Sequence, residues 1–255
     1  MLQTALAPAI APRATTDRPM VLRQAWLLAR NDLRQELRDF ELVLTAGFFT
    51  LVVLVMFGLS FSALGREAQV LAIPGMLWLT IAFVGALTLT RIFDRERESD
   101  TLRALLVAPV DRIAIYLAKA SVTLLVLLGC ALLVVPGLVF LFPAAAPFGA
   151  RPLETIALVV LGSFSYASVG TLFAAGLATS SGKNVLLSVI LYPITSPALI
   201  WALLSTRALL EGHPDFSSYL AQLAAVDVFM IAVASWVFEP VLVGSSGPTG
   251  PSRRR

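Results

Sequence analysis

Arg91-Ile92-Phe93-Asp94-Arg95-Glu96-Arg97-Glu98-Ser99-Asp100-Thr101-Leu102-Arg103-Ala104-Leu105-Leu106-Val107-Ala108-Pro109-Val110-Asp111-Arg112 is an island of both charge signs between two long apolar runs. So dense a cluster of charge cannot lie in hydrocarbon and must meet water at a membrane surface. The whole chain agrees with that reading. Of its 255 residues 58% are hydrophobic and 14% charged, whereas soluble domains carry roughly 25% charged residues. No segment outside the apolar runs is long enough to bury a core, which leaves one membrane domain.

Outward from the island, six runs of little or no charge cover residues 42–60, 70–90, 113–142, 155–178, 185–206 and 216–238. A helix crossing a bilayer needs about 20 apolar residues, and each run supplies that, so the expected fold is all-α and polytopic with six transmembrane helices. Pro136-Gly137 gives the third span a place to bend, and Pro193 and Pro197 predict a kink or break in the fifth near Tyr192–Pro197. Membrane helices also tolerate proline without any role, so both readings of these prolines stand. Small residues recur every four positions in the fourth span (Ser163, Ala167, Thr171, Ala175), a spacing that lets helices approach closely in lipid.

Ahead of the first span, Leu22, Trp26, Ala29, Leu33, Leu37 and Phe40 follow one another at intervals of 4, 3, 4, 4 and 3, with Arg23, Arg30, Arg34 and Arg38 off that face. The pattern predicts a basic amphipathic helix over 21–41, with Trp26 dipping into the interface and Arg30, Arg34 and Arg38 reaching lipid phosphates. An ordinary amphipathic helix packed on protein is the alternative. Residues 1–20, with Pro8, Pro12 and Pro19, read as a disordered leader, and 244–255 as a disordered tail.

Lys and Arg set orientation. Six precede the first span, six lie between Arg91 and Lys119, Lys183 follows the fourth span and three end the chain, so one side carries 16 and the other three (Arg66, Arg151, Arg207). Both termini and the island are expected in the cytoplasm.

Little chemistry is on offer. The lone Cys130 excludes an intrachain disulfide and the lone His213 a histidine-rich metal site. Ser180-Ser181-Gly182-Lys183-Asn184 fails as a phosphate-binding loop, which needs a glycine at Leu177 and Ser or Thr at Asn184. Any ATP must therefore be bound by another chain. His213, in an external polar segment, is either a heme ligand or simply solvated. Asp227 is the acid well inside a span, a functional candidate by default, or else a protonated group serving helix assembly. No catalytic constellation and no nucleic-acid signature is present.

The island carries the stronger signal. Asp94, Glu96, Glu98 and Asp100 precede Leu102, Leu105 and Leu106, and Pro109 closes the segment. Acids favour a helix start, and leucines three and four apart make a short apolar stripe suited to a partner's groove. A solvated charged loop is the alternative. The expectation is a short cytoplasmic helix that docks in a groove on a soluble partner.

The island from Phe93 to Pro109, Asn31-Asp32-Leu33-Arg34-Gln35-Glu36-Leu37-Arg38, Leu117-Ala118-Lys119-Ala120 and the last span from Phe229 to Glu239 resemble the CcmB family, the membrane permease of the cytochrome c maturation heme exporter. The resemblance runs from Leu22 to Val243 and implies an ABC-2-type permease, non-catalytic itself, in the bacterial inner membrane. It further implies two copies of the chain, two ATPase subunits of the CcmA type, a heme-handling membrane protein of the CcmC type and a small single-span protein of the CcmD type. Heme would be cargo rather than a bound cofactor. A non-transporting scaffold for a heme chaperone, or an ABC-2-type permease for another cargo, are the competing readings.

Overall fold

Long apolar stretches without charge satisfy their backbone groups internally only as helices when water is absent. The structure, a computed structural model, describes residues 18–98, 110–178 and 185–244, and among these there is no strand. Helix α1 spans Arg18–Asp39, α2 Glu41–Phe61, α3 Arg66–Glu98 and α4 Arg112–Leu141. A 3₁₀ turn over Pro143–Ala145 and the short α5 (Ala146–Ala150) lead into α6 (Pro152–Ala178), followed by α7 (Val185–Glu211) and α8 (Phe216–Gly244). Six of these, α2, α3, α4, α6, α7 and α8, are long and apolar enough to cross a membrane.

Helices α3 and α6 form the centre. Of their most apolar stretches 67% is buried, against 22% for α2 and 17% for α8, whose faces are left to lipid or to another chain. Two reciprocal insertions fix α3 on α6. A Cβ at Gly162 would overlap the Trp78 ring, and one at Gly85 would overlap the Tyr166 ring. Glycine is required at both because an aromatic ring occupies the space. Each ring is then anchored, Trp78 Nε1 donating to Thr206 Oγ1 at 2.7 Å and Tyr166 Oη to the Ala82 carbonyl at 2.7 Å. Gly137 serves similarly, admitting the Leu54 side chain of α2 against α4.

Hydroxyls that would be costly in lipid are turned onto their own helices. Thr50, Thr80, Thr88, Ser205 and Thr206 each donate to the carbonyl four residues back, at 2.6–2.7 Å.

Three expectations change. The N-terminal helix begins at Arg18 rather than 21, because Pro19 falls in its first turn, where a missing N–H costs nothing. Of the kink or break expected in the fifth span, the break does not occur, since α7 is one continuous helix through Pro193 and Pro197. Pro197 cannot donate to the Pro193 carbonyl, and Ser196 Oγ donates to it instead at 2.7 Å, so the ladder is repaired locally. Finally, the second span ends near Arg91 as expected, but the helix that carries it, α3, continues into the charged island through Glu98. Asp94, Glu96 and Glu98 therefore lie on the same helix as the second span and not in the first turn of a separate one.

Candidate functional site

The charged island emerges where α3 ends and α4 begins, and the N-terminal helices hold both of its ends. At the entry, Arg91 Nη1 meets Glu41 Oε1, the first residue of α2, at 2.5 Å. At the exit, Asp111 caps α4 by accepting from the Ile113 amide at 2.9 Å, while its own amide donates to Gln24 Oε1 of α1 at 3.1 Å. Eight residues on, Lys119 Nζ of α4 pairs with Asp32 Oδ2 of α1 at 2.6 Å. Gln24 to Asp32 and Asp111 to Lys119 are equal steps, so α1 runs in the same direction as the start of α4.

The two side chains of that pair are 9% and 24% exposed, and an ammonium so placed in an apolar helix needs a carboxylate. Ala25 and Ala29, one turn apart, are the small buried residues that bring α1 close enough. Leu22, Trp26 and Leu27 stay exposed, as do Arg30, Arg34 and Arg38. Helix α1 thus packs on protein along one side and leaves the other side uncovered.

The left-handed Phe40 (φ 51°, ψ −5°) turns α1 into α2 and is the non-glycine residue with positive φ among those described. Such a conformation for a bulky residue is strained, and it persists here beside α1, which the buried Asp32–Lys119 pair fixes on α4.

Of the residues singled out in sequence, Leu102, Leu105, Leu106 and Pro109 lie outside the described residues, and Asp94, Glu96 and Glu98 are described as backbone only. The Tyr192 side chain is also outside the description, whereas Pro193 and Pro197 are exposed on α7.

Asp227 faces inward from α8 with 2% exposure, and neither carboxylate oxygen has a hydrogen-bond partner. The buried Ser163 and Ser165 hydroxyls of α6 are likewise unpartnered. Unsatisfied polar atoms at a helix pair in lipid mark a seam that other packings could satisfy better.

His213 follows the left-handed Gly212 that ends α7. Its Nδ1 accepts from the Asp215 amide at 3.2 Å, and its ring meets Tyr219 edge-on with centroids 5.8 Å apart. Among the described residues no three His, Cys, Asp or Glu side chains gather as metal ligands.

The model of the family described as CcmB protein matches residues 23–243, from within α1 to the end of α8. The chain belongs to the CcmB family. Similar curated proteins are the heme exporter protein B of Escherichia coli (strain K12), of Escherichia coli O157:H7 and of Shigella flexneri. Each is 31% identical over 206 residues, which cover 79% of this chain and 89% of the relative. The CcmB match takes in α1 with the spans, so the clamp around the island lies wholly within the family region. Sequence reasoning quoted Asp32 and Lys119 in separate segments and missed their pairing. A lysine in an otherwise apolar run was the signal that could have found it.

Proposed function

We propose that this chain is the membrane permease subunit of an ABC-type exporter that delivers heme across the inner membrane for cytochrome c maturation. The match to the CcmB family over residues 23–243 carries the reading, and the name of the relatives, heme exporter protein B, supplies the cargo. The chain does no chemistry of its own, and ATP is hydrolysed on a separate CcmA-type subunit. That subunit docks on the segment from Asp94 through Glu96, Glu98, Leu102, Leu105 and Leu106 to Pro109, which the excess of Lys and Arg puts in the cytoplasm with both termini. Two copies of the permease pair through faces that a single chain leaves uncovered, and CcmC-type and CcmD-type proteins complete the assembly.

The mixed charges fix register and the leucines supply burial. Leu105→Arg places a charge in the stripe, and Glu98→Arg reverses the acidic edge. Co-purification of the ATPase subunit from native membranes is expected to be lost with both variants, while the permease remains in the membrane at wild-type level. Full recovery of the ATPase with either variant would remove the docking assignment.

A further inference from the structure

The ends of α3 and α7 opposite the island carry a second feature that heme export does not account for. Helices α2 and α7 flank α3 without packing closely on one another. The gap between them is a cavity of about 490 Å³ lined by apolar side chains, among them Phe57, Phe61, Gly75, Trp78, Leu199 and Leu203. Along α3 it runs from Leu71 to Ala82. Eleven residues of helix rise about 16 Å, close to half of the roughly 30 Å hydrocarbon core and hence to the depth of one leaflet.

Leu71 is shared with a second crevice, of about 430 Å³, whose polar lining is Arg66 and Glu67 from α3 with Arg207 and Glu211 from α7. The trough therefore opens at its membrane-surface end onto two guanidinium groups and two carboxylates. Arg207 uses Nε on Glu211 Oε1, at 2.7 Å, which leaves both of its terminal nitrogens and the second carboxylate oxygen to bond elsewhere. Arg66 and Glu67 are exposed.

From this juxtaposition we infer that the α2–α3–α7 groove is a binding site for a phospholipid with a zwitterionic phosphate–ammonium headgroup. One acyl chain lies in the trough, with the phosphate on Arg66 and Arg207 and the primary ammonium on Glu67 and Glu211. The mixed rim is what selects this occupant. An anionic headgroup would satisfy the arginines and be repelled by the glutamates, and a quaternary choline has no N–H for the carboxylates. The lipid serves as the packing partner that α2 and α7 lack in each other. The site is independent of the ATPase-docking segment, which lies at the other end of α3.

Gly75 makes the groove testable without disturbing the bundle, because a Cβ there meets nothing within 4 Å. The full-length protein is reconstituted into nanodiscs of equal parts phosphatidylethanolamine, phosphatidylcholine and phosphatidylglycerol, extracted into mild detergent, and the retained lipid quantified by mass spectrometry. Phosphatidylethanolamine is expected to be retained about tenfold over the other two, the preference that ~1.4 kcal/mol supplies. Gly75→Phe, which fills the trough, should abolish that retention, and Arg66→Ala, an exposed change that leaves the packing alone, should reduce it several-fold. Equal retention of the three lipids overturns the proposal, as does unchanged retention by Arg66→Ala. Displacement of the lipid by heme, or a Gly75→Phe variant that loses self-association instead of lipid, overturns it equally by naming a different occupant.

Discussion

Lys119 lies two turns into α4, with a 9% exposed side chain, and its partner Asp32 belongs to another helix. Breaking a buried pair by removing one member leaves the other charge uncompensated, at a cost of about 3–5 kcal/mol for full burial. Asp32 is partly open to solvent, so Lys119→Met is expected to cost somewhat less, about 2–3 kcal/mol. Adding Asp32→Leu should return part of that loss, because the orphaned carboxylate is then gone and α1 gains apolar contact. Thermal unfolding of the two single variants and the double variant in detergent checks this. Additive losses would mean that the two side chains do not act as a pair. The same pair explains why the strained Phe40 conformation can persist between α1 and α2, a backbone detail for which a phenylalanine in sequence gives no warning.

Within elements, glycine has opposite meanings in different helices. At Gly162 a methyl group would overlap Trp78, and the indole cannot retreat without breaking its bond to Thr206. Gly162→Ala should therefore destabilise by about 1–3 kcal/mol, the range for overpacking. At Gly129, inside α4, a Cβ meets nothing within 4 Å. Gly129→Ala should stabilise by about 0.5–1 kcal/mol through helix propensity alone. Opposite shifts in melting temperature are the expected outcome, and a neutral Gly162→Ala would show that the α3–α6 packing is looser than its geometry. Sequence could not distinguish these two glycines, since what differs is the side chain arriving from a distant helix. The six spans were legible because uncharged runs of bilayer length have one physical solution. The helix ends were less so: the second span ends near Arg91 where composition places it, but α3 runs on as helix through charged Arg91–Glu98. Of the kink or break expected at Pro193–Pro197, the break is absent for a local reason, the Ser196 hydroxyl standing in for the missing amide. The small-residue rhythm of the fourth span did announce close packing, and the closest neighbour of that helix is α8, where Asp227 faces it.

At the scale of the whole molecule, the arrangement of contacts suggests how a cytoplasmic push would spread. The island joins α3 to α4, yet α1 and α2 grip it, through Glu41 at its entry and Gln24 at its exit. If the ATPase subunit docks between those points, as proposed, its movement reaches the peripheral α2 directly and the central α3 along its own axis, and α2 has little buried surface to resist it. The Glu41–Arg91 contact is exposed, so it contributes little to stability, and its value would lie in geometry. Glu41→Arg should leave the amount of ATPase subunit recovered with the permease unchanged while lowering cargo-dependent ATP hydrolysis by the assembled complex. The swap Glu41→Arg with Arg91→Glu should restore it. Loss of the ATPase subunit from the single variant would make the contact part of docking rather than transmission, and full coupling in the single variant would remove it from the transmission path, leaving α3 and α4 to carry the motion.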